Sequence, residues 1–348
     1  MISEIILPIL LTFLNILLFS FLIKIFTKIK IIDVPDFSRK IHTSSVPLAG
    51  GTLFIINIFL YFFFEIFIFE NTTYFQGYKE ILSFLICSFL IYLVGLYDDK
   101  YSLRPNTKLI LVTIIVTICI SISKTFQLDF ISFLFIEKIV YLENFGIIFT
   151  IFCFLVFINA FNMIDGVNGL STTYFFICLT YLTLLNFNLN FFLFFTIPSI
   201  CFLYFNFKNK AFLGDNGSLL LGFVLSCLFI KTYNQKIIFA DQIVLLMILP
   251  GIDMLRVAII RIFRKKHPFV ADKNHLHHLI LNKYNPKISY IAICSIISLS
   301  ALLSKIIENE LINIIQIFLI LIVYFVFHNL LLLIDHHHQN QNIVLMHF

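Results

Sequence analysis

The sequence has no tryptophan, few charges and hardly any polar stretch of useful length. Charged residues make up 12% of its 348 positions, against 60% hydrophobic. A soluble fold of this size could not cover so much apolar chain with so little polar surface, which excludes a water-soluble globular protein. The longest polar segment, residues 261–287, is too short for a separate soluble domain, and no internal repeat is visible. The seven cysteines form no CxxC pair and none neighbours the histidines, so neither a disulfide framework nor a zinc site is indicated. They are expected as small buried hydrophobes. The first apolar run lacks a basic leading flank and a small-residue cleavage site, so it is expected to be a retained span. The 45 phenylalanines carry no functional signal by themselves.

What is present is a succession of apolar runs, each about the 20 residues needed to cross a bilayer. They fall near 5–26, 48–69, 80–96, 108–123, 146–163, 169–186, 190–206, 217–231, 241–262, 288–306 and 311–334. The expectation is an all-α polytopic membrane protein of about eleven transmembrane helices, forming a single integral membrane domain over residues 1–348. Residues 124–144 mix polar and β-branched residues and suit either a hairpin or a surface helix. The segments after spans one, three, five, seven and nine must share one side. Most of the 24 basic residues fall in or beside those segments, whereas Glu65, Glu70, Glu80, Asp129, Glu137, Glu143, Asp241, Glu308 and Glu310 belong to the other side. Positive charge marks cytoplasmic loops, so the first side is expected to be cytoplasmic.

That side also holds the polar motifs. A carboxylate near a bilayer costs roughly 2.5–3.5 kcal/mol at a helix centre, so acids that recur at span ends need a use. Asp98 and Asp99 are adjacent at one such end. Two neighbouring carboxylates repel unless a cation or shared proton relieves them, although Lys100 and Arg104 could do this in a solvated loop. Gly214-Asp215-Asn216-Gly217-Ser218 opens a span with a tight turn and free N–H groups, suited to anionic oxygens or to a simple N-cap. Asn159, Asn162, Asp165, Gly166, Asn168 and Gly169 put amides and a carboxylate where another span ends, an expensive choice without a polar ligand. Cations and His267, His275, His277 and His278 cluster after the ninth span, which favours pyrophosphate over zinc, with contact to anionic lipid as the plainer alternative. Asp33, Pro35, Arg39, Lys40, His42, Pro47, Gly50 and Gly51 form a basic loop entering the second span. Asp253 lies deeper, near Arg256, and is expected to form a buried ion pair. His336, His337 and His338 are a solvated tail.

In order, the Asp33–Gly51 loop, DDxxxL, NxxNxxDGxxGL, GDxGS and HxHH resemble the polyprenyl-phosphate N-acetylhexosamine-1-phosphate transferases. That family includes the undecaprenyl-phosphate GlcNAc-1-phosphate transferases and, more distantly, phospho-MurNAc-pentapeptide transferase. The resemblance implies attack of polyprenyl phosphate on the sugar-bearing phosphorus of a UDP-sugar, giving UMP and a lipid-pyrophosphate-sugar that starts an envelope glycan such as O-antigen or teichoic acid. It implies a cytoplasmic active-site cleft in the inner membrane, Mg²⁺ (or Mn²⁺) as cofactor, and UDP-N-acetylhexosamine and undecaprenyl phosphate as partners. No nucleic acid is expected, and homodimerisation is left open.

Carried over by motif, Asp215 is the implied metal ligand with Asp165 beside it, and Asp98 and Asp99 orient or deprotonate the lipid phosphate. Asn159, Asn162 and Asp165 line the nucleotide side, where Phe212 stacks on uracil. His275, His277 and His278, with Arg264 or Lys266, face pyrophosphate and sugar, and Lys40 and His42 close another wall. Asn168 stands where many family members have Asp; its amide can still donate to and accept from a base. The Arg39-Lys40-Ile41-His42 and HxHH contexts favour the GlcNAc branch over the MurNAc-pentapeptide branch. The rivals are a transporter and a non-catalytic scaffold.

Overall fold

The computed structural model describes residues 2–35, 44–68, 74–75, 77–134, 136–185, 188–263, 265, 275–281, 286–306 and 313–326. They divide into two compact units, Met1–Ala240 and Asp241–Phe348. Unit 1 runs α1 (Ile2–Lys28), β1 (Ile32–Asp33), β2 (Val46–Pro47), α2 (Gly50–Phe67), α3 (Tyr78–Tyr101), α4 (Pro105–Ile122), β3 (Phe130–Phe133), β4 (Ile136–Tyr141), α5 (Gly146–Ile164), α6 (Leu170–Leu184), α7 (Leu189–Phe207) and α8 (Gly214–Asn234). Unit 2 holds α9 (Ala240–Phe263), which begins at the boundary, then α10 (Leu276–Leu281), α11 (Pro286–Ile306) and α12 (Asn313–Val326). Each expected span contains a described helix. Among the described residues, 8 are long and apolar enough to cross a membrane, and α6 and parts of α11 and α12 are shorter apolar helices. The chain is a multi-span helical membrane protein.

Unit 1 is built around α8, which is buried along its length and packed on by α2, α3 and α5. Close approach needs small residues, and α8 supplies Gly222, where an added Cβ would press on Ile158 and Phe161 of α5 at 3.1 Å. Two polar side chains inside α8 bond to the turn behind them: Ser226 and Thr232 donate to Gly222 O and Leu228 O. Asn15 of α1 and Asn57 of α2 exchange amide bonds of 3.2 and 2.7 Å, fixing the register of those helices. The abundant phenylalanines fill this interior. Phe191 and Phe195 stack at 4.5 Å, with Tyr61 edge-on to Phe191 at 4.9 Å. Five of the cysteines are buried and all are unbridged, as expected.

Residues 124–144 form a hairpin with 3-10 turns on either side, which resolves the two options left by the sequence. β3 and β4 pair antiparallel with an irregularity between Ile131 and Phe133. The displaced residue, Ser132, donates its N–H to the Tyr233 hydroxyl at 2.6 Å, and that hydroxyl donates to Phe130 O at 3.2 Å. Beside that end of α8 a buried Lys231 ammonium pairs with Glu80 and Tyr74 O.

In unit 2, Leu245 and Ile248 of α9 pack on Ile320 of α12, and Asn313 donates to Asp241 at 2.6 Å. Leu279 and Ile280 of α10 pack against Ile293 of α11.

Candidate active site

α3 runs on to Tyr101, so Asp98 and Asp99 sit in its last turn, not in the loop beyond it. The helix ends at Ser102, whose φ of 55° turns the chain and whose N–H returns to Asp98 O. Leu103 then donates its N–H to Asp98 Oδ1 at 2.6 Å, and α4 starts with proline at its first position, where a missing N–H costs nothing. One turn into α4, Lys108 reaches back: its Nζ lies 2.8 Å from Asp98 Oδ2 and 2.9 Å from Asp215 Oδ2. Asp98 and Asp215 are therefore held in one cluster by a lysine from a third helix.

Asp99 points to a different task. Consecutive residues on a helix are about 100° apart. Its carboxylate accepts from the backbone N–H groups of Asp215 (2.8 Å) and Asn216 (3.0 Å) and from the Asn216 side chain. These are orphan donors at the start of α8, so Asp99 acts as an N-terminal cap supplied by another helix, on the side where the helix dipole favours an anion.

The start of α8 is confined on every side. Gly214 has φ +73°, a conformation that side chains rarely take, and a Cβ there would lie 2.7 Å from Asp99 Oδ2. Cβ atoms on Gly51 or Gly95 would collide with the Asn216 region, the latter with Asp215 O as well. The preceding strand-like segment is pinned by Phe212 N–H to Pro47 O (2.9 Å) and Gly50 N–H to Phe212 O (3.1 Å). Asn216 adds a bond to Leu48 O at 2.8 Å. The glycine pair of the Asp33–Gly51 loop thus serves the GDxGS motif.

Asn162 closes the cluster from α5. Oriented to satisfy its neighbours, its amide nitrogen donates to Asp215 Oδ1 at 2.8 Å and to the Ser218 hydroxyl, while its oxygen accepts from Lys108 at 3.2 Å. Asp165 ends α5 and accepts from Ser171 at 2.5 Å. Burial pushes its carboxyl up to about 7; the Ser171 bond pulls it down and the Asp215 charge adds to the rise. Of the acids whose side chains meet Lys108, Asp215 is one-third exposed and Asp98 only 9%, so a solute reaches Asp215 more readily.

Of the other expected site residues, Asn159 bonds back to Leu155 O at 2.7 Å and Asn168 bonds Asn209 Oδ1 at 2.6 Å, so their described bonds lie outside this cluster. Phe212 is half-buried in the segment that leads into α8. Lys40, His42, Arg264 and Lys266 lie outside the described residues. His277 and His278 fall on α10, but their side chains are not described. His275 is buried in unit 2, where its Nδ1 meets Asp253 Oδ2 at 2.8 Å. Asp253 also pairs with Arg256 at 2.9 Å, the ion pair expected from the sequence. Lys108 and Ser171 belong to none of the motifs read from the sequence, and Asn216 and Ser218 enter there only as members of the GDxGS motif.

The donors are oxygens and suit a hard divalent cation. Among the described residues no three His, Cys, Asp or Glu side chains form a metal-binding group. Mg²⁺ does not need one, because it is held by one or two carboxylates with phosphate oxygens and water making up its shell. Asp215, with Asp165 as second candidate, fits that requirement.

Apolar spanning helices and an ionic cluster of two carboxylates, a lysine and an amide at one end of unit 1 define a polytopic membrane protein with a site suited to phosphate chemistry. Residues 81–233, which carry most of that cluster, match the family model described as Glycosyl transferase family 4. Curated relatives agree. The chain is 28% identical over 274 residues to the undecaprenyl-phosphate alpha-N-acetylglucosaminyl 1-phosphate transferase of Salmonella typhi, covering 74% of this chain and 71% of that protein. It is 28% identical over 267 residues to a probable undecaprenyl-phosphate N-acetylglucosaminyl 1-phosphate transferase of Bacillus subtilis (74% and 72%). It is 29% identical over 258 residues to the Thermotoga maritima undecaprenyl-phosphate alpha-N-acetylglucosaminyl 1-phosphate transferase (74% and 75%). The family resemblance drawn from the motifs is borne out.

Proposed function

We propose that the protein transfers an N-acetylhexosamine-1-phosphate, GlcNAc-1-phosphate in first place, from its UDP ester to undecaprenyl phosphate in the inner membrane. The observation that carries this is the Asp98–Lys108–Asp215–Asn162 cluster within the residues that match the family. An oxygen of the lipid phosphate forms a bond to the sugar-bearing phosphorus, the bond from that phosphorus to the bridging oxygen breaks, and UMP leaves with the electron pair. Phosphoryl transfer of this kind depends mainly on positioning and on charge neutralisation, which an ionic cluster can provide.

In this proposal Asp98 orients the incoming lipid phosphate or takes its proton, and Lys108 offers positive charge to phosphate oxygens. Asp99 supports the same step by holding the start of α8, and with it Asp215, in place. Asp215 and Asp165 would hold Mg²⁺ or Mn²⁺, which when bound neutralises pyrophosphate charge. Asn159, Asn162, Asn168 and Phe212 are assigned to the uridine side. His277, His278, Arg264, Lys266, Lys40 and His42 are assigned to pyrophosphate and sugar. The site faces the cytoplasm, where the UDP-sugar is available.

The test is to incubate purified protein with undecaprenyl phosphate, Mg²⁺ and a panel of UDP-sugars, following UMP and the lipid product together. Release with UDP-GlcNAc and loss of release on chelation are expected. No release with any UDP-N-acetylhexosamine would overturn the proposal, and release only with UDP-MurNAc-pentapeptide would move the protein to the other branch.

A further inference from the structure

Unit 2 contains a second buried polar network, centred on Asp253 of α9. Its Oδ1 accepts from Arg256 Nη2 (2.9 Å), the Tyr324 hydroxyl (2.8 Å) and the Leu276 N–H (2.9 Å), and its Oδ2 meets His275 Nδ1 at 2.8 Å. Arg256 Nε also donates to the Tyr324 hydroxyl, at 2.7 Å. Three segments of the chain, one turn of α9, the start of α10 and α12, are thereby tied to one carboxylate.

The chemistry of the partners fixes the histidine. An ionised carboxylate only accepts, so Nδ1 carries the proton it gives to Asp253. The other nitrogen, Nε2, lies 3.4 Å from Arg261 Nη2, a group that can only donate, so Nε2 is the acceptor there. A histidine serving a phosphate oxygen through Nε2 would need a proton on that atom. The side chain is also only 8% exposed. Its main chain does further work, since Leu279 N–H closes on His275 O. Side chain and main chain together set where α10 begins.

Resting on the transferase reading above, we propose that Asp253 and His275 are positioning residues, which fix the start of α10 and hence the placement of His277 and His278, and that His275 itself does not touch substrate. The arrangement resembles the way a carboxylate orients a ligating imidazole from behind, except that here the oriented group is a helix terminus.

The test uses the full chain in detergent and two readouts, UMP release and hydrogen exchange of the Leu276–Leu281 amides, on His275→Ala, His275→Asn, Asp253→Asn and Tyr324→Phe. The Asn side chain keeps an N–H donor close to the position of Nδ1. His275→Ala and Asp253→Asn are expected to speed exchange in α10 and to lower kcat roughly 10- to 100-fold, the range for lost hydrogen bonds to a charged group. Tyr324→Phe, which removes one donor and is the mildest to folding, moves both readouts in the same direction by less. His275→Asn keeps α10 protected and stays within about fivefold of wild type. Equal inactivation by His275→Ala and His275→Asn with α10 still protected in both would overturn the proposal in favour of direct contact. Unchanged exchange in Asp253→Asn would overturn it too. If the wild type releases no UMP from any UDP-sugar, the transferase reading fails by itself, while the exchange comparison still decides whether Asp253 and His275 hold α10.

Discussion

Lys108 is the residue on which the acidic cluster turns. It neutralises Asp98 and Asp215 at 2.8 and 2.9 Å, whereas Lys100, beside the acids in α3's last turn, is exposed. Lys108→Met is expected to leave two carboxylates facing each other and to reduce UMP release by at least about 100-fold, with Lys108→Arg retaining part of the activity; steady-state kinetics on the two variants check this. Asp215→Asn should fall by a comparable factor and should also lose its response to Mg²⁺ concentration, which Lys108→Met need not. The sequence displayed every acid in this cluster but not its cation. Lys108 stands among other basic residues in a charge-biased segment, and its partner Asp215 is 107 positions away, so no spacing marks it.

At the scale of elements, adjacent acids in a motif divide their work because α3 is longer than its apolar run. The apolar run ends near residue 96, which leaves the acids at a span end or, in the plainer reading, in a solvated loop; the extra turn sends Asp98 towards α4 and Asp99 towards α8. Asp99→Asn keeps the shape of the cap but weakens its acceptor, so a lower unfolding temperature should accompany any loss of activity, as a thermal melt would record. Gly95 makes the same point for packing. Inside a span it looked like any small residue, and its reason appears only with α8 in place, where a Cβ would strike the Asp215 main chain. Gly95→Ala should cost about 1–3 kcal/mol through overpacking, whereas Gly251→Ala, inside α9 with nothing within 4 Å, should be neutral or slightly stabilising. Comparing the two in one denaturation series separates packing from helix propensity. Lys231→Met should be worse still, about 3–5 kcal/mol, since it removes the cation that the buried Glu80 carboxylate faces; replacing both partners by apolar residues should recover much of that loss.

For the whole molecule, the sequence reported the class and, for the motifs of unit 1, their convergence well, because these depend on long apolar runs and on counting connections. The structure bears out that count inside unit 1: the start of α2, the ends of α3 and α5 and the start of α8 meet at one cluster. What a one-dimensional count could not supply was the hairpin at 130–141 or the division of labour among acids, both of which depend on side chains meeting across helices. Cysteine labelling tests the orientation. With native thiols removed, a cysteine at Lys100 should react with a membrane-impermeant maleimide only after the cells are permeabilised, and one at Tyr141 should react in intact spheroplasts; the reverse pattern would invert the sidedness. The central place of α8 has one more consequence, for biogenesis. It is the least apolar of the 8 candidate spans and is buried throughout, so its stability comes from neighbouring helices and hardly from lipid. During synthesis such a segment has poor reason to leave the translocon on its own. It should insert inefficiently when tested as an isolated segment and efficiently once α2, α3 and α5 precede it, making the central helix the last of its neighbourhood to commit to the membrane.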